Sequence, residues 1–289
     1  MELRRGLKSE LSLLAETLQK AKQDSANDLA AAIAFWAFFS IFPLLIGILS
    51  LTSRFLESEA LRARIYEAVT EMLPGSAEMV MDNLDAVVQY RGSMGLVAIL
   101  GLFWTAAKVF GAISRSVNRA IGVQQNRRPL VSKLRYFGMA IAVSVLIIVS
   151  LGVTVVLELI LESPVLAGLG IDTGVISGFQ GWATGVALIL LIFALIYKLT
   201  PIRDVLWSQV LPGALLATIL FELGQTGFVL YLEKVAKLKA VYGSLSSIIV
   251  LLLWLYVSAL ILIFGAEYSI VRWRTRNGNS SHGQDRQTS

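Results

Sequence analysis

One carboxylate lies deep in an otherwise apolar stretch of this sequence. Glu222 is about 13 residues from the start and about nine from the end of the run Gln209 to Tyr231, so its side chain cannot reach either interface of a bilayer. Thr218, Gln225 and Thr226 lie four residues before it and three and four after it, which puts them on one helical face. Polar groups at this depth are typical of a path through a membrane or of hydrogen bonds between helices.

Lys108 is a second charge inside an apolar run, about five residues before the end of Met94 to Ile113. Its long side chain can extend to the interface, because five residues of helix rise only about 8 Å. Alternatively, the ammonium faces the protein interior and pairs with a carboxylate or a substrate headgroup. A pair with Glu222 would have to bridge about 12 Å of depth, which argues against that partner.

Two apolar runs contain proline, which predicts bends. Pro43 lies in the run Leu29 to Leu51, and Pro212 is followed by Gly213 in the run that holds Glu222. Proline removes a backbone donor and clashes with the preceding turn, so each position favours a kink that serves as a gate or as a fixed bend.

Membrane-spanning helices must position these residues. Apolar residues make up 56% of the 289-residue chain and charged residues 16%, against about 25% charged in soluble domains. The apolar residues are gathered into six runs of a length that crosses a bilayer: Leu29 to Leu51, Met94 to Ile113, Tyr136 to Leu157, Val175 to Tyr197, Gln209 to Tyr231 and Ser244 to Glu267. The sequence therefore predicts an all-α bundle of six transmembrane helices within a single membrane domain, residues 1–273.

The segments outside the runs complete the predicted architecture. Residues 1–28 carry leucines at helical spacing, which predicts an amphipathic helix at the cytoplasmic interface; they are Leu7, Leu11, Leu14 and Leu18. Residues 52–93 contain two apolar stripes on either side of a Pro-Gly break, typical of a helical hairpin on the outer side. Residues 274–289 are polar and predicted to be disordered.

Basic residues are divided unequally between the two predicted sides of the membrane. Seventeen belong to the side that carries both termini and seven to the other side, which places both termini in the cytoplasm. The net charge of +5 then indicates contact with anionic lipid headgroups. No aromatic stacking platform accompanies the arginines, so nucleic acid is not an expected partner.

Cysteine is absent, and the single histidine, His282, lies in the polar tail. A disulfide, a thiolate metal site and a cysteine nucleophile are therefore excluded, and we expect no metal, no cofactor and no enzymatic activity. Small residues at helical spacing along the fourth run favour close helix packing, including a homo-oligomer interface; they are Gly174, Gly178, Gly181 and Gly185.

Four stretches carry a familiar pattern over nearly the whole membrane region. They are AAAIAFWAFFSIFPLLI in the first run, FWTAAKVFGAISRSVNRAIG in the second, RDVLWSQVLPGALLATILFELGQTGFVLYL in the fifth and VYGSLSSIIVLLLWLYVSALILIFGAE in the sixth. They resemble the helix motifs of the YihY/BrkB family of bacterial inner-membrane proteins. Asn118 matches a characteristic position of the second motif, and Glu267 closes the sixth. Lys108 departs from the second motif, where small or polar side chains are usual.

The resemblance implies a fold and an inner-membrane location more firmly than an activity. Members have been linked to virulence, to serum resistance and to export of lipids or solutes, and an older label calls them ribonuclease BN. We therefore expect a transporter or exporter of a lipid, amphiphile or small solute, with an envelope scaffold as the alternative. A ribonuclease is disfavoured, because metal-dependent cleavage needs convergent carboxylate or histidine ligands.

Glu267 and Asn118 are interpreted as structural residues. Because charges in a membrane seek partners, Glu267 is expected to form an ion pair with Arg272, Arg274 or a loop arginine at the cytoplasmic side.

Overall fold

A computed structural model describes residues 2–52, 91–123, 173–234 and 245–284, together with short helical pieces between residues 134 and 153. The regular structure in this part of the chain is α-helical, which confirms the all-α class for the residues described. The helices are α1 (Glu2–Gln23), α2 (Ala26–Thr52), α3 (Arg91–Ile121), α4 (Thr173–Leu199), α5 (Trp207–Lys234) and α6 (Leu245–Gln284). The predicted outer hairpin lies outside the described residues, apart from its two ends.

Four helical stretches in the described part are long and apolar enough to cross a membrane. They are Ala26–Leu45, Gln180–Leu199, Trp207–Tyr231 and Leu245–Arg276. They coincide with the first, fourth, fifth and sixth predicted runs, so a multi-pass membrane protein is confirmed. The second run lies in α3, and the third falls partly outside the described residues, so the count of six spans stays a prediction.

The chain forms two compact units. The first contains Met1–Ala26, Ser114–Leu223 and Ile261–Ser289, and the second contains Asn27–Ile113 and Gly224–Leu260. Most of the buried apolar residues in the described part belong to the first unit. There the C-terminal ends of α3, α4 and α6 and the N-terminal end of α5 meet, together with α1. The single membrane domain of residues 1–273 stays a prediction.

Helix α1 presents two neighbouring faces with different surroundings. Leu13 is buried in a cluster with Tyr268 and Val271 of α6. Leu11 and Leu18, which belong to the predicted leucine stripe, are 61% and 50% exposed. Leu14, which also belongs to the stripe, packs against this cluster. The helix therefore packs on α6 through one edge of the stripe, and the exposed leucines remain accessible to a membrane interface.

Helix α6 continues past residue 274, where the sequence predicts a disordered tail, and ends at Gln284. Extending a helix that is already formed needs no new nucleation, so a polar segment can continue it. The hydroxyl of Thr275 also donates to the carbonyl of Val271 within the helix. The prediction for residues 274–284 is corrected accordingly.

The backbones of α5 and α6 approach each other at two glycines in the first unit. A methyl group added to Gly213 would overlap the carbonyl oxygen of Gly265 and the hydroxyl of Ser269. One added to Gly265 would lie 2.8 Å from the Gly213 carbonyl oxygen. The buried Tyr197 hydroxyl borders the same contact and donates to the Leu262 carbonyl at 2.6 Å. Small residues therefore permit this crossing, as is common between helices in membranes.

We predict that Gly213→Ala lowers the free energy of unfolding by about 1–3 kcal/mol, because the added methyl group overpacks this contact. Gly227→Ala on the same helix is the matched control, since a methyl group there meets nothing within 4 Å. Thermal unfolding of purified protein in detergent measures both. Equal shifts for the two variants would contradict the proposed crossing.

Candidate functional site

Glu267 is a charged side chain without solvent exposure. The residue is 0% exposed, and its Oε2 atom accepts a hydrogen bond from Lys20 Nζ at 2.6 Å. Among the described residues, no group donates to its other oxygen, Oε1. Only 17% of the Lys20 side chain is exposed. A pair so poorly hydrated depends on short contact, because removing each ion from water costs several kcal/mol.

Lys20 connects Glu267 to a second carboxylate. Its ammonium lies 2.6 Å from Asp24 Oδ2, and Asp24 Oδ1 lies 4.0 Å from Nε of Arg119 in α3. Positive and negative groups therefore alternate from α3 through α1 to α6. The turn between α1 and α2 positions Asp24: Ser25 adopts a left-handed φ of 56°, and the Asp24 N–H donates to the Lys20 carbonyl.

The partner of Glu267 is not one that sequence reasoning named. Arg272, an expected partner, contacts Glu10 of α1 instead, with 3.2 Å between Nη1 and Oε1. Lys20 precedes Glu267 by 247 residues and looks in the sequence like any basic residue of an amphipathic helix. No spacing or periodicity connects the two, so only the docking of α1 identifies the pair.

Asn118 fixes the end of α3 to the loop that follows α4. Its amide nitrogen donates to the carbonyls of Ser114 at 2.7 Å and Thr200 at 3.4 Å, and its Oδ1 accepts the Ile202 N–H at 2.9 Å. Its backbone carbonyl accepts the Val123 N–H at the end of α3, as in a Schellman cap. This buried amide therefore satisfies its polar groups by holding two segments together.

Two cavities adjoin α5 in the first unit. The smaller has a volume of about 20 Å³, and Tyr197, Gln209 and Ser269 are among its lining residues; it is large enough for about one water molecule. The larger, about 460 Å³, is an apolar groove that we call the α5 groove. Its lining includes Leu190, Leu211, Leu215, Ile219, Tyr268 and Arg272.

The predicted polar stripe of α5 is unevenly buried. Thr218 is buried, and its hydroxyl donates to a carbonyl of its own helix at 2.8 Å. Glu222 is half-buried, whereas Gln225 and Thr226 are exposed. Glu222 lies one turn beyond Ile219, the last α5 residue that lines the groove. A role for the stripe in a transport path stays a prediction.

Lys108 is exposed and lies beside two indole rings. Its Nζ atom is 5.3 Å from the ring centroid of Trp36 and 5.7 Å from that of Trp104. Such cation–π contacts contribute about 0.5–1 kcal/mol at exposed sites, so they add modest stabilisation to an ammonium in an apolar run. The sequence indicates the contact with Trp104, which lies four residues earlier on the same helix. It does not indicate the contact with Trp36, because that residue lies on α2. A role for Lys108 in a substrate path stays a prediction.

The prolines lie inside continuous helices, Pro43 in α2 and Pro212 in α5. A methyl group on Gly101 of α3 would be 3.4 Å from the Pro43 ring, so α3 packs closely against it. Pro212 lines the α5 groove, beside the crossing glycine Gly213. The contact with Gly101 shows packing at Pro43, whereas Pro212 borders the groove. A gating role for either proline stays a prediction.

The three polar residues that tie helix ends together, Lys20, Asn118 and Glu267, all lie in a region shared with a known family. The family model described as virulence factor BrkB matches residues 17–289. The chain belongs to the BrkB virulence factor family. The match spans α2 to α6 and begins within α1.

Relatives of the BrkB-family chain are similar over most of its length. The ribonuclease-like protein YfkH of Bacillus subtilis is 28% identical over 261 residues, which cover 89% of this chain and 94% of YfkH. A membrane protein of Alteromonas mediterranea is 27% identical over 262 residues, 87% of this chain and 84% of that protein. A membrane protein of Alkalilimnicola ehrlichii is 28% identical over 253 residues, which make up 56% of that longer protein. No solved structure matches the chain.

Two of these three relatives are named as membrane proteins, and the third is named as ribonuclease-like. Metal-dependent cleavage of a phosphodiester requires several ligands that converge on the ions. In the described parts of the chain, no three histidine, aspartate or glutamate side chains are grouped closely enough to hold a metal ion.

We predict that Lys20→Met lowers the free energy of unfolding by about 3 kcal/mol, because it leaves the Glu267 charge buried without its cation. Adding Glu267→Gln to this variant should restore most of the loss, since it removes the stranded charge. Lys22→Met, at an exposed position of the same helix, is the control and should have little effect. Chemical unfolding in detergent distinguishes these outcomes; additive losses in the double variant would show that the two residues do not act as a pair.

We also predict that Asn118→Asp destabilises the protein by about 1–3 kcal/mol despite its similar shape. The remaining oxygen can still accept the Ile202 N–H, but the donor to Ser114 and Thr200 is lost. Asn27→Asp, at an exposed position near the start of α2, should be neutral or slightly stabilising. The same unfolding measurement applies, and an unchanged midpoint for Asn118→Asp would refute the bridging role.

Proposed function

We propose that this BrkB-family protein transports an amphiphilic molecule in the bacterial inner membrane and does no covalent chemistry on it. The observation that carries the proposal is the α5 groove, an apolar trough with Arg272 in its lining and Glu222 one turn beyond it. An amphiphile needs apolar surface for its tail and a partner for its polar group. The groove offers both, with apolar side chains of α5 beside Arg272 of α6.

The contact between α5 and α6 gives the order of groups along the groove. Gly213 faces Gly265 and Ser269, and the helices run in opposite directions at this contact. Arg272, one turn beyond Ser269, therefore lies toward the start of α5, whereas Ile219 lies toward its middle. The groove thus runs from a basic end at Arg272 toward the half-buried carboxylate of Glu222.

We infer that the basic end faces the cytoplasm, because the positive-inside bias of seventeen against seven basic residues assigns both termini to that side. A substrate would then enter from the inner leaflet with its polar group near Arg272. Glu222 would provide the next polar group along α5 as the substrate moves outward. Polar side chains at membrane depth commonly mark such a pathway.

An envelope scaffold without transport is the second candidate. It is favoured by the use of polar groups in the first unit, where Glu267 and Asn118 bond to other segments and Thr218 bonds to its own helix. A scaffold would need these contacts for stability, and its role in the envelope would not depend on a transported substrate.

We predict that purified protein in vesicles accelerates the transfer of a fluorescent phosphatidylglycerol between leaflets, and that Glu222→Gln reduces the rate at least tenfold. Glu222→Gln replaces the ionisable carboxylate in the path with a neutral amide, whereas Glu222→Asp keeps a carboxylate and should retain most activity. Quenching of the outer leaflet by dithionite reports the rate, with protein-free vesicles as the blank. No acceleration by the unmodified protein would refute transport of this probe; equal rates for Glu222→Gln would remove only Glu222 from the path.

A further inference from the structure

We propose that the α5 groove binds an acyl chain of an anionic glycerophospholipid and that Arg272 holds the phosphate in competition with Glu10. The inference deepens the proposed function by naming the class of amphiphile. It rests on that function for its biological role, but the binding itself is independent of transport.

Three side chains at the rim of the groove form a closed set of polar contacts. Arg272 Nη1 donates to the Tyr268 hydroxyl at 2.6 Å and lies 3.2 Å from Glu10 Oε1. The Tyr268 hydroxyl in turn donates to Glu10 Oε2 at 2.7 Å. Arg272 Nη1 also donates to this same Oε2 atom at 3.3 Å, so two donors fixed on one turn of α6 converge on one carboxylate.

This arrangement is suited to a phosphate as well as to a carboxylate. A phosphodiester also presents anionic oxygens that can accept both hydrogen bonds, and arginine forms charge-assisted hydrogen bonds with phosphate. Glu10 comes from α1 and therefore occupies the position as an oxyanion supplied by the protein itself. The side chains of Arg272 and Glu10 are 43% and 49% exposed, so an anion from the surroundings can reach the guanidinium.

The groove beneath these donors fits a hydrocarbon chain. Its volume of about 460 Å³ lies within the range of roughly 300–1,000 Å³ that is usual for ligand sites. Leu211, Leu215 and Ile219 repeat every four residues along its length and remain exposed. Tyr268 and Arg272 also line it, so the apolar trough and the two donors form one continuous surface.

The charge of the rim selects among headgroups. When Glu10 is displaced, the donors Arg272 and Tyr268 together carry one positive charge. This charge favours a lipid of net negative charge. A choline headgroup brings its own cation close to the guanidinium, and like charges at short range repel. Phosphatidylglycerol should therefore bind more tightly than phosphatidylcholine with the same acyl chains.

Native mass spectrometry of the delipidated full-length protein, titrated with each of these two lipids, tests the inference. We expect Arg272→Gln to weaken phosphatidylglycerol binding about tenfold, through loss of a charge-assisted contact. Glu10→Gln should strengthen it about twofold to fivefold, because the competing carboxylate is lost and exposed pairs of this kind are weak. Leu215→Trp should weaken the binding of both lipids by filling the groove.

Glu16→Gln and Arg276→Gln are the matched controls, at exposed positions of α1 and α6, and should leave binding unchanged. Equal affinity for the two lipids, or binding that is insensitive to both Arg272→Gln and Leu215→Trp, would overturn the proposal. If Arg272→Gln does not fold, the opposite effects of Glu10→Gln and Leu215→Trp decide the question. Selective binding without leaflet transfer would refute only transport, whereas transfer without headgroup selectivity would refute only this inference.

Discussion

The ion pair between Glu267 and Lys20 is the contact on which the order of the first unit depends most. A carboxylate with no exposed surface cannot be stabilised by water, so its cation must lie within hydrogen-bonding distance. That requirement fixes the rotation of α1 and its position along α6. The turn at Ser25 and the contact between Asp24 and Arg119 then orient the beginning of α2 and the end of α3 around the same pair.

Helix α5 presents two adjacent stripes of side chains in the same unit. Gly213, Ala214 and Ala217 are buried and small, which lets the backbone of α6 come close. Leu211, Leu215, Ile219 and Leu223 recur at four-residue spacing on the neighbouring stripe and remain exposed. Because the small stripe fixes α5 against α6, the large residues beside it border a groove that no described side chain fills. Packing and the proposed binding surface are therefore two results of one sequence pattern.

The sequence predicted those features that depend on neighbours along the chain. The lengths of the apolar runs identified four spans that the structure contains, and the spacing of Thr218 and Glu222 on one helical face follows from helix geometry alone. The motif positions of Asn118 and Glu267 drew attention to residues that prove to be buried and bonded.

Contacts between distant segments could not be predicted in this way. Lys20 is separated from Glu267 by almost the whole chain, and Trp36 reaches Lys108 from a different helix. The leucine stripe of α1 gives only part of its packing face for a related reason. Its period gives an amphipathic helix correctly, but the face that packs on α6 is set by where Leu13 and Lys20 find partners.

The two polar attachments of α1 to α6 differ in a way that makes lipid binding compatible with a stable fold. Breaking a buried pair such as Lys20–Glu267 costs about 3–5 kcal/mol, whereas an exposed pair such as Glu10–Arg272 contributes about 0–1 kcal/mol. An anion that displaces Glu10 therefore leaves α1 held by Lys20 and by the packing of Leu13. Glu10 stays close to Arg272 because α1 remains docked on α6, so it competes with weak anions and yields to a ligand that also fills the groove. Only an anion that binds Arg272 more strongly than Glu10 does can therefore displace Glu10. The Lys20–Glu267 pair keeps α1 in place during this exchange.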